Sequence, residues 1–275
     1  MHLAFDPLRF FRQAVRIFRV REPRPSVASL LKCWLAIRFA RKEGPLTVRL
    51  GRLFLSAPNQ RELHYLFEEV FVREEYLVPL ATKSDPVIVD CGANIGFATL
   101  YFKLHHPGAR ITTFEPDPSC FGHLQRHIAD NHLQDVTAVQ AACGQSNGET
   151  SFFSSPGFSP AGSIHASRAN GAQEIKVRLV RLSDYITGPV DLLKLDVEGA
   201  EQGVMHDLIS TGKIASVRSM VIEYHHRIGG MKPELGPFLK GIEDAGFTYD
   251  IVAGLKPRAR FTGAFQDVMI YASRP

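Results

Sequence analysis

Residues 87–96 read Val-Ile-Val-Asp-Cys-Gly-Ala-Asn-Ile-Gly, a short apolar run that enters a turn with two glycines. An apolar pattern with helical spacing follows at residues 97–105. The run predicts a buried strand, and the pattern after it predicts a helix. Glycines in such a turn let the backbone approach a ligand, and the first turn of the helix offers free N–H donors. We therefore expect a ligand to bind where this strand ends.

The alternation of short apolar strands and helical patterns continues to the end of the chain and predicts an α/β fold with a mostly parallel sheet. The predicted strands lie at 87–90, 111–115, 136–141, 192–196, 220–224, 249–253 and 268–272. The predicted helices lie at 97–105, 118–131, 198–210 and 233–245. The last two strands predict a hairpin at the sheet edge. Two alternating stretches within about 144–190 predict a small β-insertion.

The N-terminal part of the chain differs from this body in charge. Residues 1–50 hold 11 Lys and Arg against 3 Asp and Glu, whereas the remainder holds 21 against 25. Helical patterns at 8–19, 27–42 and 62–76 surround an alternating stretch at 46–55. The first of these places Arg9, Arg12, Arg16 and Arg19 opposite an apolar face. This basic arm either contacts an anionic membrane surface or packs on the body, and we favour packing.

Composition excludes several classes of protein. The chain is 45% hydrophobic and 22% charged, which is ordinary for a globular enzyme and excludes disorder as the main state. No stretch approaches the roughly 20 apolar residues that a bilayer span needs, and arginines interrupt any signal-peptide pattern. Four scattered cysteines suit reduced thiols. We expect a cytoplasmic protein, with peripheral contact at the inner face of the membrane as an option for the basic arm.

The glycine turn has the form Asp90-x-Gly92-x-Asn94-x-Gly96. The dinucleotide fingerprint G-x-G-x-x-G fails here, because its second and third glycines would fall on Asn94 and Phe97. An acid just before the turn suits a ligand with a cationic amino-acid head. We expect any side chain at position 92 to occupy space that the ligand needs.

Glu115 lies nineteen residues after Gly96, at the end of the second predicted strand. An acid at this position in α/β folds accepts hydrogen bonds from ribose hydroxyls. The alternative is that Glu115 only caps a helix that begins at Pro116. Together, the turn and this acid predict a binding site for S-adenosylmethionine.

A third motif is Lys194-Leu-Asp-Val-Glu-Gly-Ala-Glu201. Lys194 falls inside a predicted central strand, where a buried ammonium is costly unless it is paired. Strand parity puts Lys194 and Asp196 on one face, and Glu223 and His225 on one face of the next strand. A Lys194–Glu223 ion pair is one explanation, and a partly exposed lysine at the start of the strand is the other.

The three motifs, with Glu223-Tyr-His225, resemble the FkbM family of S-adenosylmethionine-dependent methyltransferases over roughly residues 76–273. The resemblance implies a Rossmann-like seven-stranded sheet of order 3-2-1-4-5-7-6 with the last strand antiparallel. It implies a methyltransferase domain at 76–275, preceded by a basic helical extension at 1–75. It also implies O-methylation of a hydroxyl on a sugar, glycolipid or polyketide-type acceptor. The expected partner is therefore a small-molecule or glycan acceptor, and no nucleic acid is expected.

The predicted site follows from these motifs. The expected cofactor-binding residues are Asp90, Gly92, Ala93, Asn94, Gly96, Glu115, Pro116 and Asp196, and the expected catalytic residues are Asp196, His225 and Lys194. His225 and Asp196 are the candidates for a general base, since methyl transfer to a hydroxyl must release one proton. Asp196 could instead hold the amino group of the methionine or orient Lys194, and His225 could instead be a structural histidine with its hydrogen bonds satisfied.

Three alternatives stay open from the sequence. A divalent metal held by Asp196, Glu198 and Glu223 is supported only by the proximity of these acids, and the predicted site contains no metal. A nicotinamide-dependent oxidoreductase is disfavoured by Asn94 and Phe97. A docking protein with a degenerate site is suggested by the basic arm and disfavoured by the intact motifs.

Overall fold

The computed structural model describes residues 25–40, 43–80, 84–155, 162–165, 173–228, 232, 234–254 and 265–274, so the predicted arm helix at 8–19 lies outside the described residues. The described helices are α1 (Val27–Arg38), α2 (Gln60–Phe67), α3 (Phe97–His105), α4 (Pro118–Asp130), α5 (Glu201–Ser210) and α6 (Leu235–Asp244). A π-helical segment, Glu68–Val72, continues α2. Short 3₁₀ turns lie at Leu182–Tyr185 and Lys213–Ser216.

The described strands form three sheets. They are β1 (Leu46–Leu50), β2 (Leu53–Ala57), β3 (Val87–Cys91), β4 (Arg110–Phe114), β5 (Val136–Val139), β6 (Ala142–Gly144), β7 (Gly148–Ser154), β8 (Gln173–Arg181), β9 (Val190–Leu195), β10 (Val217–His226), β11 (Thr248–Ala253) and β12 (Gln266–Ser273). Strands β1 and β2 form a hairpin, and β6, β8 and β7 form a three-stranded sheet within the region of the predicted insertion.

The central sheet has seven strands in the order β5-β4-β3-β9-β10-β12-β11. Numbered along the chain within this sheet, the order is 3-2-1-4-5-7-6. Strand β12 is antiparallel to both of its neighbours, and the other pairs are parallel. The predicted α/β class and mixed sheet are therefore confirmed. Because β3, β4, β9 and β10 are parallel, their carboxyl ends meet at one edge, where ligands bind in such sheets.

Several predicted boundaries were wrong. The helix predicted at 27–42 ends at Arg38, and the pattern at 62–76 forms α2 and a π-helical segment that ends at Val72. The alternating stretch 46–55 is not one strand, because a turn at Gly51 and Arg52 divides it into β1 and β2. Helix α5 begins at Glu201 instead of residue 198, since Glu198 (φ 55°) and Gly199 (φ 106°) adopt left-handed conformations that a helix excludes. The predicted strand 136–141 ends at Val139, and β6 joins the other sheet.

Helix α1 packs into the main core of the protein. Leu30, Trp34 and Ile37 are buried in the same hydrophobic cluster as Ile88 of β3 and Leu100 of α3. The packing interpretation therefore holds for this helix.

The carboxyl end of α1 is tied to the start of α2. The Gln60 side-chain amide donates hydrogen bonds to the carbonyls of Ile37, Arg38 and Ala40, at 2.7, 3.2 and 3.3 Å. These bonds satisfy carbonyls that have no partner inside the helix.

Among the helices described, none is both long and apolar enough to pass through a membrane.

We expect Ile37→Ala to lower the free energy of unfolding by about 2–5 kcal/mol, because it leaves a cavity where α1 meets the core. Leu35→Ala is the control: Leu35 lies on the same helix, is 36% exposed and should change stability by no more than about 0.5 kcal/mol. Urea unfolding followed by fluorescence of Trp34, the sole tryptophan, measures both. Equal effects of the two substitutions would contradict the packing of α1.

Candidate functional site

Two clefts open at the carboxyl edge of the central sheet. The first cleft, of about 540 Å³, is lined by Glu115, Pro116, Cys143, Phe152 and Ile164 among others. The second cleft, of about 530 Å³, is lined by Tyr65, Glu69, Tyr76, Lys194, Glu223 and Asp267 among others. Both clefts are bordered by Gly92, Asn94, Asp196 and Glu198. A ligand that fills the first cleft can therefore present a group to the second at the junction between the turns after β3 and β9.

The turn after β3 lies against the turn after β9. Gly92 has a φ of +81°, and its N–H donates a 3.0 Å hydrogen bond to the Phe114 carbonyl. A Cβ at this position would lie 1.7 Å from the carbonyl oxygen of Asp196. A side chain here would therefore first collide with the backbone of Asp196. The expectation that it would also occupy ligand space stays a prediction.

Glu115 is buried, and its side chain joins the turn after β3 to the turn after β4. Its Oε2 accepts a 2.8 Å hydrogen bond from the Asn94 N–H, and its Oε1 accepts one of 2.8 Å from the Asp117 N–H. Burial raises the pKa of Glu115 to about 8, although both N–H donors oppose the rise. The capping alternative fails, because the Asp117 side chain caps α4. Glu115 therefore keeps its place in the first cleft as a candidate ribose acceptor.

Asp90 and Gly96 lie behind the clefts. Asp90 is fully buried, and its Oδ2 accepts hydrogen bonds from the hydroxyls of Thr99 at 2.9 Å and Thr113 at 3.4 Å. Gly96 is the N-cap of α3 with a φ of 94°. Neither belongs to the described lining of the two clefts. The structure therefore places Asp90 where it supports the turn and does not bring it to the expected ligand.

Lys194 connects the two turns. Its Nζ lies 2.5 Å from the Gly92 carbonyl, to which it donates, 3.2 Å from Asp196 Oδ2 and 3.5 Å from Asp90 Oδ1. Burial lowers the pKa of Lys194, but Asp196 and Asp90 outweigh burial, and the net shift is upward. Lys194 is therefore a permanent ammonium that cannot act as a base.

Both explanations offered for Lys194 were wrong. Its ion pairs are with Asp90 and Asp196, not with Glu223, because Asp90 is its register partner on β3. The side chain is only 2% exposed, so it is not a lysine that reaches the solvent.

Asp196 connects the site to the N-terminal part of the chain. The Tyr76 hydroxyl lies 3.2 Å from Asp196 Oδ2 and 3.1 Å from Glu69 Oε1, and it can donate its one proton to either. Burial, with Glu75 and Asp196 nearby, raises the pKa of Glu69 to about 7. Sequence reasoning missed Glu69. The available signal was an acid within the apolar pattern of 62–76. The structure adds that this acid lies on a π-helical segment, a feature found frequently at functional sites.

His225 is buried at the end of β10 among carboxylates. Its Nδ1 lies 2.7 Å from Glu201 Oε1, and its Nε2 lies 3.1 Å from Glu198 Oε2 and 3.9 Å from Asp196 Oδ1. Burial lowers the pKa of His225, but Glu198 and Glu201 outweigh it and raise this pKa to about 10. With no metal bound, His225 is thus a cation near neutral pH, which does not suit the expected role of a base.

Glu201 and Asp267 were also missed by sequence reasoning. Glu201 was quoted as part of the motif but assigned no role. Asp267 is the register partner of His225 on the antiparallel strand β12, and its Oδ1 lies 3.9 Å from His225 Nε2. An acid at the start of the last strand was the available signal. The pairing of β12 with β10 became known only from the structure.

The chain matches a known family over more than half of its length. The model of the methyltransferase FkbM domain matches residues 90–249, which include the turn after β3, Glu115 and the Lys194–Glu201 motif. Among similar proteins is methyltransferase sdnD of Sordaria araneosa, which is 34% identical over 236 residues, covering 74% of this chain and 89% of that protein.

Two further relatives have names that specify the methylated position. The 31-O-demethyl-FK506 methyltransferase FkbM of Streptomyces tacrolimicus is 28% identical over 216 residues, covering 66% of this chain and 82% of that protein. The 2-O-methyltransferase NoeI of Sinorhizobium fredii is 29% identical over 168 residues, covering 54% of this chain and 67% of that protein.

We expect Gly92→Ala to lower the free energy of unfolding by about 3 kcal/mol or more, because its Cβ forces the Asp196 carbonyl away. Gly122→Ala is the control: Gly122 lies in α4, a Cβ added there would meet no other atom within 4 Å, and alanine should stabilise that helix by about 0.5–1 kcal/mol. Thermal unfolding measures both changes. A stable Gly92→Ala protein would show that the two turns do not approach this closely.

Proposed function

The chain belongs to the FkbM family of methyltransferases, and we propose that it transfers a methyl group from S-adenosylmethionine to a hydroxyl of a small-molecule or glycan acceptor. The observation that carries this proposal is the junction of the two clefts at Gly92, Asn94, Asp196 and Glu198. One cleft suits a nucleoside, the other is rich in hydrogen-bonding side chains, and the reacting groups would meet between them.

In the first cleft, Glu115 would accept hydrogen bonds from the ribose hydroxyls of the cofactor. Both carboxylate oxygens are already held in place by the N–H groups of Asn94 and Asp117, which leaves their remaining lone pairs for the ligand. Phe152, Ile164 and Cys143 supply an apolar wall that suits the adenine ring. The cationic sulfonium would lie toward the acids at the junction, where opposite charge favours it.

Methyl transfer is an in-line displacement in which the acceptor oxygen attacks the methyl carbon. The new O–C bond forms as the C–S bond breaks, the sulfur keeps the electron pair, and the hydroxyl proton is released. Because the leaving group is good, the protein mainly aligns the two reactants and accommodates that proton. Alignment depends on the junction, since it is the part that both clefts share.

Asp196 is our candidate for the group that accepts the proton. It borders both clefts, whereas His225 is buried and already protonated at neutral pH in the metal-free arrangement. Lys194 and Tyr76 would hold the Asp196 carboxylate in position through its Oδ2. Lys194 and His225 would then be positioning residues.

The acceptor is proposed to carry a hydroxyl on a sugar, glycolipid or polyketide-type skeleton. The names of the Streptomyces and Sinorhizobium relatives say that those two enzymes transfer the methyl group to an oxygen atom. The second cleft offers Tyr65, Glu69 and Glu223, which can form hydrogen bonds with a hydroxyl-rich molecule. Family membership favours methyl transfer over the nicotinamide and docking alternatives. Membrane contact by the basic arm and a cytoplasmic location remain predictions.

We expect the affinity for 5′-methylthioadenosine to rise by up to about tenfold as pH rises through about 8, because the ionised Glu115 accepts ribose hydrogen bonds better than its neutral form. This ligand keeps the adenosine and lacks the titrating amino-acid group of the cofactor. Calorimetry between about pH 6.5 and 9 measures the change.

The matched variant is Glu115→Gln, which should bind with a lower affinity that no longer depends on pH over this range. A pH dependence that survives in Glu115→Gln would remove Glu115 from the ribose site.

We expect Asp196→Asn to lower kcat by about 10²–10⁴, because the amide cannot accept the hydroxyl proton. Affinity for S-adenosylhomocysteine, measured by calorimetry, should change much less. Asp244→Asn is the control, since this exposed aspartate pairs only with Lys240 on α6 in the described structure. A kcat for Asp196→Asn within threefold of the original would exclude Asp196 as the proton acceptor.

A further inference from the structure

The Nε2 atom of His225 occupies an unusual position. The side chain is fully buried, and Nε2 makes no hydrogen bond among the described residues. It faces four carboxylates: Glu198 at 3.1 Å, Asp196 at 3.9 Å, Asp267 at 3.9 Å and Glu223 at 4.0 Å. A ring nitrogen surrounded in this way is stabilised by a positive charge between itself and the oxygens, which either a proton on Nε2 or a bound cation can supply.

The other side of the ring is held in place. His225 Nδ1 lies 2.7 Å from Glu201 Oε1, and the same carboxylate oxygen accepts a 2.9 Å hydrogen bond from the Gly199 N–H. A histidine whose Nδ1–H donates to a carboxylate presents its Nε2 lone pair outward. This carboxylate–histidine arrangement is typical of metal-bound histidines.

The donor atoms also have suitable spacing. Donor atoms of Asp196, Glu198 and His225 lie within 4.8 Å of one another, and those of Glu223, His225 and Asp267 do so as well. Two ligands of one ion lie no more than about 4.4 Å apart, so only small side-chain adjustments are needed. The left-handed conformation of Glu198 (φ 55°) brings its carboxylate to this group at the cost of backbone strain.

We propose that Asp196, Glu198 and His225 bind a divalent metal ion, with Glu201 orienting the histidine and the carboxyl groups of Glu223 and Asp267 lying 4.0 and 3.9 Å from His225 Nε2. One imidazole and several carboxylates suit an ion such as Mn²⁺ better than Ca²⁺, which prefers oxygen ligands alone. The sequence suggested only acids as ligands. His225 joins the set of ligands because β10 pairs with β9, which brings the end of β10 beside the turn that carries Asp196 and Glu198.

The consequence for catalysis rests on the proposed function. The ion would border the second cleft through Asp196 and Glu198, where an acceptor hydroxyl can bind it. A metal-bound hydroxyl is more acidic than a free one, so its proton can leave to solvent and the remaining alkoxide can attack the methyl group. In that case Asp196 acts as a ligand, and the ion makes the hydroxyl acidic.

The experiment uses the full chain, first stripped with a chelator and then titrated with Mn²⁺. Calorimetry and electron paramagnetic resonance should show one saturable ion per chain, with a dissociation constant below about 100 µM. Pulsed electron paramagnetic resonance should show magnetic coupling between the bound Mn²⁺ and a histidine nitrogen. Mg²⁺ added in excess tests whether the site also accepts an ion with a stronger preference for oxygen.

Three variants decide the outcome. Glu198→Gln and His225→Gln should each weaken Mn²⁺ binding by about 10–100-fold, and His225→Gln should abolish the nitrogen coupling. His226→Gln is the matched control, since this neighbour lies outside both candidate groups and should bind Mn²⁺ as the original chain does. If His225→Gln fails to fold, Glu198→Gln decides, because Glu198 lies at the partly exposed edge of the cleft.

Absence of binding at 1 mM Mn²⁺, or equal binding by the original chain, Glu198→Gln and His226→Gln, would overturn the proposal. Calorimetry with S-adenosylhomocysteine on the original chain separates this proposal from the proposed function. Cofactor binding without Mn²⁺ binding rejects the metal site alone. The expected Mn²⁺ results without cofactor binding support the metal site and reject the proposed function.

Discussion

The buried ammonium of Lys194 is the contact on which the site depends. It donates to the Gly92 carbonyl and forms ion pairs with Asp90 and Asp196, so one side chain connects the turn after β3 to the turn after β9. Removing one partner of a buried ion pair leaves an uncompensated charge and typically costs about 3–5 kcal/mol. The two carboxylates and the lysine therefore stabilise one another, and together they fix the position at which the two clefts meet.

The N-terminal part of the described chain completes this arrangement. The Tyr76 ring lies 5.0 Å from the Lys194 ammonium, and its hydroxyl lies between Glu69 and Asp196. Phe71 packs edge-on against Phe97 and Tyr101 of α3, which holds the π-helical segment against that helix. One wall of the second cleft thus comes from a segment that sequence patterns assigned to an extension.

Charge is distributed unevenly between the two clefts. The first cleft contains Glu115, whose oxygens are held by backbone N–H groups, with apolar side chains beside it. The second cleft gathers Glu69, Glu223 and Asp267 around the junction, and burial raises the pKa of both Glu69 and Glu223. Such a concentration of acids favours cationic occupants, which include a sulfonium group and a divalent ion.

Local pattern was sufficient for much of the fold and part of the site. Apolar runs of four to six residues and 3.6-residue periodicity identified the strands and helices of the central domain, because these signals depend on near neighbours in the chain. Glycine spacing and an acid at the next strand end identified the turn after β3 and Glu115, which line the first cleft. Sequence pattern could not predict the left-handed residues before α5, since the turn that requires them forms only when β9 packs beside β3.

The sequence by itself therefore determined the α/β class, the position of the glycine turn after β3 and the family to which the chain belongs. The tertiary structure alone decided which polar groups meet: Lys194 with Asp90 instead of Glu223, Tyr76 with Asp196, and His225 with acids from the turn after β9, from α5 and from β12. The physical reason is that strand pairing and register, together with the packing of the N-terminal segment on the central domain, bring these groups together across separations of up to 120 residues. A charge seen in sequence has no partner until that packing supplies one.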